Sequence, residues 1–579
     1  MPPSTPSHKS HLDRAVHARQ AAFTGGLSPT AMALAYADWF MHLANSPGKL
    51  AELAENAASK SIAFGEWAAR RARGEACGNF IEPLPQDRRF GAPAWQQLPY
   101  HLAWQGFLMA EQWWHYATTS VPGVTLHHED MVSFSARQLL DLFSPSNFPW
   151  TNPQVIDATR DERGENLKRG AQHFVEDMSA LMHGHAPAPQ QEFRVGIDVA
   201  ATPGKVIFRN RLMEIIQYAP ATDSVHPEPV LVVPAWIMKY YILDLSPHNS
   251  LVKWLLEQGH TVFMISWRNP DAQDRELAMD DYLGDGVMRA LDIVGAVVPA
   301  ARVQAVGYCL GGTLLGIAAA AMARDGDARL ATITLLASQL DFTEAGELKL
   351  FIDESQLTFL EDVMWDRGYL EAREMAGAFQ LLRSNDLVWS RMVSEYLLGN
   401  RARANDLMAW NKDATRMPYR MHSQYLRSFY LHNDLAGGRY RVGGRPVVIS
   451  DIRAPIFMVG TTSDHVAPWL SVYKAHLLVD TEITFVLTSG GHNAGIVSEP
   501  GHPRRHYWMQ RKLDAQRYVP PDEWLRSAPR QEGSWWPAWQ AWLAQHSAPR
   551  VAPPPMGCAG KGYAALAQAP GEYVLIKGS

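Results

Sequence analysis

Cysteine is scarce in this sequence: Cys77, Cys309 and Cys558 are the three in 579 residues. Three thiols cannot build a disulfide framework, and no Cys-x-x-Cys pair offers a zinc site. A reducing cytoplasm is the expected compartment, and a conspicuous cysteine is expected to be chemical rather than structural. A surplus of positive charge is lacking too. Lys and Arg number 53 against 59 Asp and Glu, a formal net charge of -6. That balance gives no overall electrostatic reason to bind nucleic acid. Long apolar runs are missing as well. The longest, Leu314 to Ala323, is far too short to span a bilayer. The N-terminal MPPSTPSHKSHLDRA has no apolar stretch of the kind a secretory signal needs. Internal repeats and coiled-coil heptads are also absent. A soluble protein without a membrane span is expected.

What is present is ample material for a core. Apolar residues make up 47% and charged ones 19%, which excludes bulk disorder. Tryptophan (20) outnumbers tyrosine (19). Many of these tryptophans lie outside the recognisable strands, leaving room for an apolar surface or channel.

The chain changes texture along its length. Up to about Met182 it has no convincing strand, and segments such as Pro29 to Ala44 and Trp104 to Tyr116 carry helical periodicity. The Pro- and Ala-rich HGHAPAPQQEF from His183 reads as a linker. An N-terminal, mostly helical domain over 1–190 is therefore expected, followed by a second domain over 191–579. In the latter, strands and helices alternate. Strands are expected at Val230 to Val233, Thr261 to Ile265, Arg302 to Val306 and Ala331 to Leu336; helices near Ser250 to Glu257, Asp281 to Val294 and Leu310 to Ala323. This rhythm predicts a mostly parallel sheet covered on both faces. It stops at Gln339 and resumes at Pro455. The intervening stretch, about 341–450, reads as a helical cap insertion containing Trp365, Trp389 and Trp410. Strands at Ile456 to Val459 and Thr484 to Leu487 follow, then an aromatic helix with Trp535, Trp536, Trp539 and Trp542.

The sharpest chemical feature is RVQAVGYCLGGTLLG, from Arg302. An apolar strand leads into Gly307-Tyr308-Cys309-Leu310-Gly311-Gly312 and then an alanine-rich helix. This is a G-x-S-x-G nucleophile elbow with cysteine in place of serine. Small neighbours let strand and helix approach around a strained nucleophile. The helix N-terminus favours a thiolate, and the Leu310 N–H can face a developing oxyanion. Asp464 then stands where one later strand ends and His492 where the next one ends, so nucleophile, acid and histidine follow the α/β-hydrolase chain order. His465 and Asn493, their neighbours, are expected to orient loops. The second oxyanion donor is expected from the loop Val233 to Met238, at the backbone of Trp236 or Ile237. A cysteine nucleophile exchanges thioester for thioester, which favours acyl transfer from acyl-CoA over ester hydrolysis.

Beyond these residues, the chain resembles the poly(3-hydroxyalkanoate) synthases of the single-subunit kind (class I or II), leaning to the short-chain class I type. The resemblance runs from roughly Thr151 to Trp542. It is carried by TNPQVIDATRDERGENLKRG, ATPGKVIFRNRLMEIIQY, VVPAWIMKYYILDLSPHNSLVKWLLEQGHTVFMISWRNPD, GYCLGG, LLRSNDLVWS, MAWNKDATRMP, SDHVAPW and GGHNAGIV. The tail PGEYVLIKG is similar to the family's ending. Several members carry Asn where this chain has Met238, so a side-chain role at that position is lost here while a backbone donor survives.

The resemblance implies the catalytic set Cys309, His492 and Asp464 and the substrate (R)-3-hydroxyacyl-CoA, polymerised to a polyester with release of CoA. CoA is then product rather than cofactor, and neither a cofactor nor a metal is expected. The resemblance further implies a homodimer, a mobile cap and attachment to cytoplasmic polyester granules carrying coat proteins. Either His492 or Asp464 can activate the attacking hydroxyl. Trp389 and Trp410 are open to core packing or substrate contact; Arg383, Asn385 and Asp386 are open to cap ion pairs or CoA contacts. The N-terminal tryptophans Trp95, Trp104, Trp113 and Trp114 are open to contact with granule, partner or catalytic domain. The rival functions are a thioesterase or polyester depolymerase on the same fold, and a non-catalytic granule-binding subunit.

Overall fold

The computed structural model describes residues 8–84, 87–182, 193–299, 301–372, 374, 388–401, 404–514 and 516–578. The chain forms two compact units, one of Thr24–Gln191 with Gly377–Ala404, the other of Met1–Phe23, Glu192–Ala376 and Asn405–Ser579.

The first unit contains no strand among the described residues. Its helices include Pro29–Ala44, Pro47–Ala72, Tyr100–Thr118, Leu126–Leu142, Pro153–Asp161 and Glu165–Met182. Local chemistry starts several of them. Ser28 and Thr125 accept backbone N–H groups from the first turns of their helices, Asn152 accepts two, and proline follows Ser28, Ser46 and Asn152 directly. The expected helix at Pro29 to Ala44 is found with those bounds, and that at Trp104 to Tyr116 is longer at both ends. Trp95 and Trp104 are buried around Phe90, which stacks on Trp104 with ring centroids 5.1 Å apart. Trp113 donates its indole N–H to Leu53 O, and Trp114 is exposed. The segment after residue 387 groups with these helices for a physical reason. Asp177 accepts from Tyr396 and Arg401, and Gly170 lets the Tyr396 carbonyl approach to where a β-carbon would stand.

The second unit is built on an eleven-stranded sheet. Its strands are β1 (Gly204–Arg209), β2 (Met213–Tyr218), β3 (Val230–Val233), β4 (Val262–Trp267), β5 (Val303–Tyr308), β6 (Leu330–Leu336), β7 (Ile456–Thr461), β8 (Ile483–Thr488), β9 (His506–Lys512), β10 (Arg530–Glu532) and β11 (Ala567–Gln568). They lie in the order β10-β9-β8-β7-β6-β5-β3-β4-β2-β1-β11. From β4 to β8 all neighbours are parallel; β2, β1 and β11 extend one edge and β9 and β10 the other, antiparallel. The run from β1 to β8 has the strand order of the α/β-hydrolase fold.

The parallel strands read as mostly apolar, uncharged runs because both of their faces are covered, and each is buried along its whole length. The chain leaves β3 for β4 on one side and returns to β5 on the other. The ends of β3 and β5 therefore flank the switch point where such sheets place their ligands.

Five strands have no clear signal in the sequence. In β2 the buried Glu214 interrupts the apolar pattern, and the β1–β2 turn rests on Asn210, whose side chain accepts the N–H groups of Leu212 and Met213. Strand β9 is half-exposed and mixes charge with aromatics, the edge strand β10 is exposed and wholly polar, and β11 has only two residues. The aromatic helix is Trp536–Gln545, and Trp535, Trp536 and Trp539 are core residues rather than a channel lining. Their indole N–H groups donate to Gly495 O, Ile496 O and Thr334 Oγ1, each over 3.0 Å. Two of the three thus pin the loop that follows His492.

Candidate active site

Cys309 lies between β5 and the helix Leu310–Asp325, with φ 52° and ψ -123°. A non-glycine residue in this region carries strain of about 1–3 kcal/mol, held only where the surroundings over-determine it. Here the Cys309 N–H donates to Leu336 O at the end of β6 (2.8 Å), while the three glycines permit contacts that no side chain allows. A β-carbon on Gly307 would stand 2.3 Å from Gly312 Cα, one on Gly311 2.1 Å from Val233 O, and one on Gly312 1.9 Å from Ser338 Oγ. The elbow is thereby wedged against β6 and against the loop after β3.

Asp464 follows β7 and is buried. Its Oδ1 accepts the N–H groups of Val466 (2.9 Å) and Ala467 (2.8 Å), and its Oδ2 the hydroxyl of Thr461 (3.2 Å). The same Oδ2 lies 2.8 Å from His492 Nδ1. Pairing with a carboxylate assigns the imidazole proton to Nδ1 and leaves Nε2 for the Cys309 sulfur. Burial acts against a charged His492. The neighbouring Asp464 and Cys309, by charge and by hydrogen bonds, outweigh it and raise its pKa well above the usual histidine value. The structure thus brings Cys309, His492 and Asp464 together in the order expected.

The loop after β3 is the second wall. Trp236 is buried and Ile237 and Met238 half-buried. The Trp236 ring lies 5.4 Å from Tyr282 and 6.3 Å from Tyr425. Both candidate residues offer their carbonyls to Thr415, and Met238 bridges Ala414. Leu310 opens the elbow helix at its N-terminus.

Other side chains reach the site without a sequence signal. Tyr308 is buried beside Cys309 and donates its hydroxyl to Asn493 Oδ1 over 2.6 Å. Tyr425 and Tyr430 sit close enough to Cys309 for its charge to add to the effect of burial in raising their pKa values. Phe342 packs on both, with centroids at 6.3 and 5.0 Å. Tyr425 and Tyr430 lie on a helical stretch, Tyr419–Leu431, whose second half is π-helical; helical spacing alone marks them only as core.

Trp410 is buried, its N–H donating to Lys239 O, so packing accounts for it. Trp365 carries the guanidinium groups of Arg14 and Arg275 on its faces, and Trp389 is half-buried in the other unit. Arg383, Asn385 and Asp386 lie outside the described residues, as does most of the expected linker. His465 is exposed. Cys77 and Cys558 are half-buried free thiols.

Three family models match the chain. Residues 86–255 match the N-terminus of poly-beta-hydroxybutyrate polymerase (PhaC), residues 7–49 the N-terminal segment of poly-beta-hydroxybutyrate polymerase, and residues 228–499 the alpha/beta hydrolase fold. Among similar proteins, the poly(3-hydroxyalkanoate) polymerase of Methylorubrum extorquens is 41% identical over 512 residues, covering 88% of this chain and 84% of the relative. The polymerase subunit PhaC of Cupriavidus necator is 38% identical over 503 residues, covering 85% and 83%. Poly(3-hydroxyalkanoate) polymerase 2 of Ectopseudomonas oleovorans is 34% identical over 501 residues, covering 86% and 88%.

Proposed function

The chain belongs to the poly(3-hydroxyalkanoate) polymerase family, and from that premise we propose that it polymerises (R)-3-hydroxyacyl-CoA through an acyl-cysteine on Cys309, releasing CoA. The observation that carries the mechanism is the geometry around His492: one ring nitrogen on the buried Asp464 carboxylate, the other left for the sulfur on the elbow.

In the first half-reaction His492 takes the Cys309 proton, and the thiolate attacks the thioester carbonyl. The oxyanion faces the N–H groups of Leu310 and of the Trp236–Ile237 loop. The bond to the CoA sulfur breaks, CoA leaves as the thiol with the proton from the imidazolium, and the acyl group stays on Cys309. In the second, the 3-hydroxyl of an incoming unit attacks the acyl-cysteine. His492 accepts the hydroxyl proton and returns it to the departing Cys309 sulfur, and a new ester forms. Assigning His492 rather than Asp464 as this base follows from occupancy. Asp464 has a fully buried side chain, and both its oxygens already accept hydrogen bonds from Thr461, Val466, Ala467 and His492. It is placed to orient and stabilise the imidazolium rather than to move a proton itself.

The aromatic wall of Tyr308, Phe342, Tyr425 and Tyr430 suits an apolar acyl chain and keeps water from the acyl-cysteine, favouring transfer over hydrolysis. On this reading CoA enters as substrate and leaves as product, no cofactor takes part, and a homodimer works in the cytoplasm at the polyester surface, among granule-coat proteins. None of the described helices is long and apolar enough to cross a membrane.

Product analysis tests the assignment. Incubation with (R)-3-hydroxybutyryl-CoA is expected to yield insoluble polyester along with free CoA. Free hydroxyacid in place of polymer would make the protein a thioesterase instead, and no CoA release would make it a non-catalytic subunit.

A further inference from the structure

We propose that Thr415 is a positioning residue of the oxyanion hole, its hydroxyl fixing the peptide plane that carries the Ile237 N–H. This deepens the polymerase reading above and rests on it. The Thr415 hydroxyl donates to Trp236 O over 2.7 Å, and its own N–H donates to Ile237 O over 3.2 Å. One residue of the cap therefore grips two successive peptide groups of the loop after β3. A trans peptide is planar, with its C=O and N–H directed oppositely. Holding the Trp236 carbonyl on the Thr415 side consequently directs the Ile237 N–H away from Thr415. Thr415 is 3% exposed, so water cannot replace the hydroxyl.

Thr415 is itself held by the strap around it. Asn249 donates to Asp406 (2.9 Å), Trp410 to Lys239 O (2.7 Å), Tyr241 to Asp413 (3.0 Å), and the Arg416 N–H to Asn269 (2.9 Å). The first three bonds tie Asp406–Asp413 to the segment that continues from the oxyanion loop, and the fourth ties Arg416 to the stretch after β4, so Thr415 is held on both sides. At the other end of the loop, the Val233 and Pro234 backbone rests where a Gly311 side chain would be, so the loop cannot shift without meeting the elbow. A donor for a developing charge acts only if it is oriented before the reaction, and a misplacement of about 1 Å costs on the order of a hundredfold in rate.

The test compares Thr415→Val, which removes the hydroxyl at constant shape, with Thr415→Ser, which keeps it. For T415V, kcat for CoA release from (R)-3-hydroxybutyryl-CoA is expected to fall on the order of tenfold or more, with KM changed by less than about threefold. T415S is expected to restore most of that loss. Alkylation of Cys309 by iodoacetamide, followed at that peptide by mass spectrometry, creates no oxyanion and is expected to proceed at the wild-type rate in both variants. Wild-type kcat in T415V overturns the proposal. Equal loss in T415V and T415S, or loss of alkylation together with turnover, also overturns it, since either marks general disruption of the site. Failure of the polymerase reading looks different: the wild-type protein would release no CoA, would release it with free hydroxyacid in place of polymer, or C309A would release it at the wild-type rate.

Discussion

The Tyr308 hydroxyl donates to the Asn493 side-chain oxygen over 2.6 Å. The residue before the nucleophile is thereby joined directly to the residue after the histidine. The Tyr308 ring also lies 5.7 Å from the His492 ring. Burial, with Cys309 and Asp464 nearby, keeps its phenol protonated by raising its pKa far above the usual value. The bond therefore acts as a fixed spacer between the end of β5 and the loop after β8.

Removing that hydroxyl with Tyr308→Phe tests the spacer. A buried hydrogen bond is worth about 1 kcal/mol, roughly fivefold in a rate if it is felt in the transition state. Turnover is expected to fall by about that factor with little change in KM. Steady-state kinetics check it, and unchanged kcat would show that the two loops hold their spacing without the bond.

Two glycine substitutions should have opposite outcomes. Gly311→Ala places a methyl group 2.1 Å from Val233 O and 2.6 Å from the Pro234 backbone, neither of which is a flexible side-chain end. The loop after β3 must move, and activity is expected to be lost. Gly295 lies inside the helix Arg289–Val297, and a β-carbon added there would meet nothing within 4 Å. Gly295→Ala is expected to stabilise the fold by about 0.5–1 kcal/mol through helix propensity and unfolded-state entropy, with activity unchanged. Denaturant unfolding and turnover assays on both variants separate a required glycine from an incidental one.

Acid stability should depend on His260. Its ring stacks on His226 with centroids 4.7 Å apart, and both nitrogens of each ring are buried without a hydrogen-bond partner among the described residues. Burial, with His226 and Arg550 nearby, lowers the His260 pKa to about 3 from the usual 6.5. Burial also lowers that of His226, where Arg550 adds to the effect and Glu228 opposes it. The unfolded chain takes up the His260 proton near 6.5 and the folded chain only near about 3, so acidification through that window favours unfolding. Above it the ring is neutral in both states and adds no pH dependence. Stability is expected to fall by up to about 1.4 kcal/mol per pH unit from this group, and His260→Phe, which keeps the stack, should flatten the profile. Parallel profiles for the two proteins would contradict the assignment.

Much of this architecture is legible in the sequence, and the reasons differ from element to element. The strands β3 to β8 can be found because burial on both faces makes them predominantly apolar, uncharged runs, and the elbow because its glycines are sterically obligatory. Strand β2 is hidden because a charged residue, Glu214, stands near its start. That buried carboxylate is bonded to Arg209 and to the backbone N–H groups of Glu572 and Tyr573, the latter two too distant in sequence for any pattern to reveal. Thr415 is hidden for the same reason: its contact joins the cap to Trp236, 179 residues earlier in the chain. Asn493 reads in sequence as a loop-orienting neighbour of His492, but its partner Tyr308 lies on a different strand. Local patterns report the backbone and the nucleophile; the side-chain bonds across the sheet and the cap need the fold.

Cys309 is the residue proposed to carry the growing chain. Intact-protein mass spectrometry after rapid mixing with one equivalent of (R)-3-hydroxybutyryl-CoA tests that role most directly. A hydroxybutyryl adduct is expected on the wild-type protein, mapped to the peptide holding Cys309, together with an equivalent of free CoA; Cys309→Ala should give neither. An adduct of the same size on Cys309→Ala, or CoA release from it at the wild-type rate, would contradict the account.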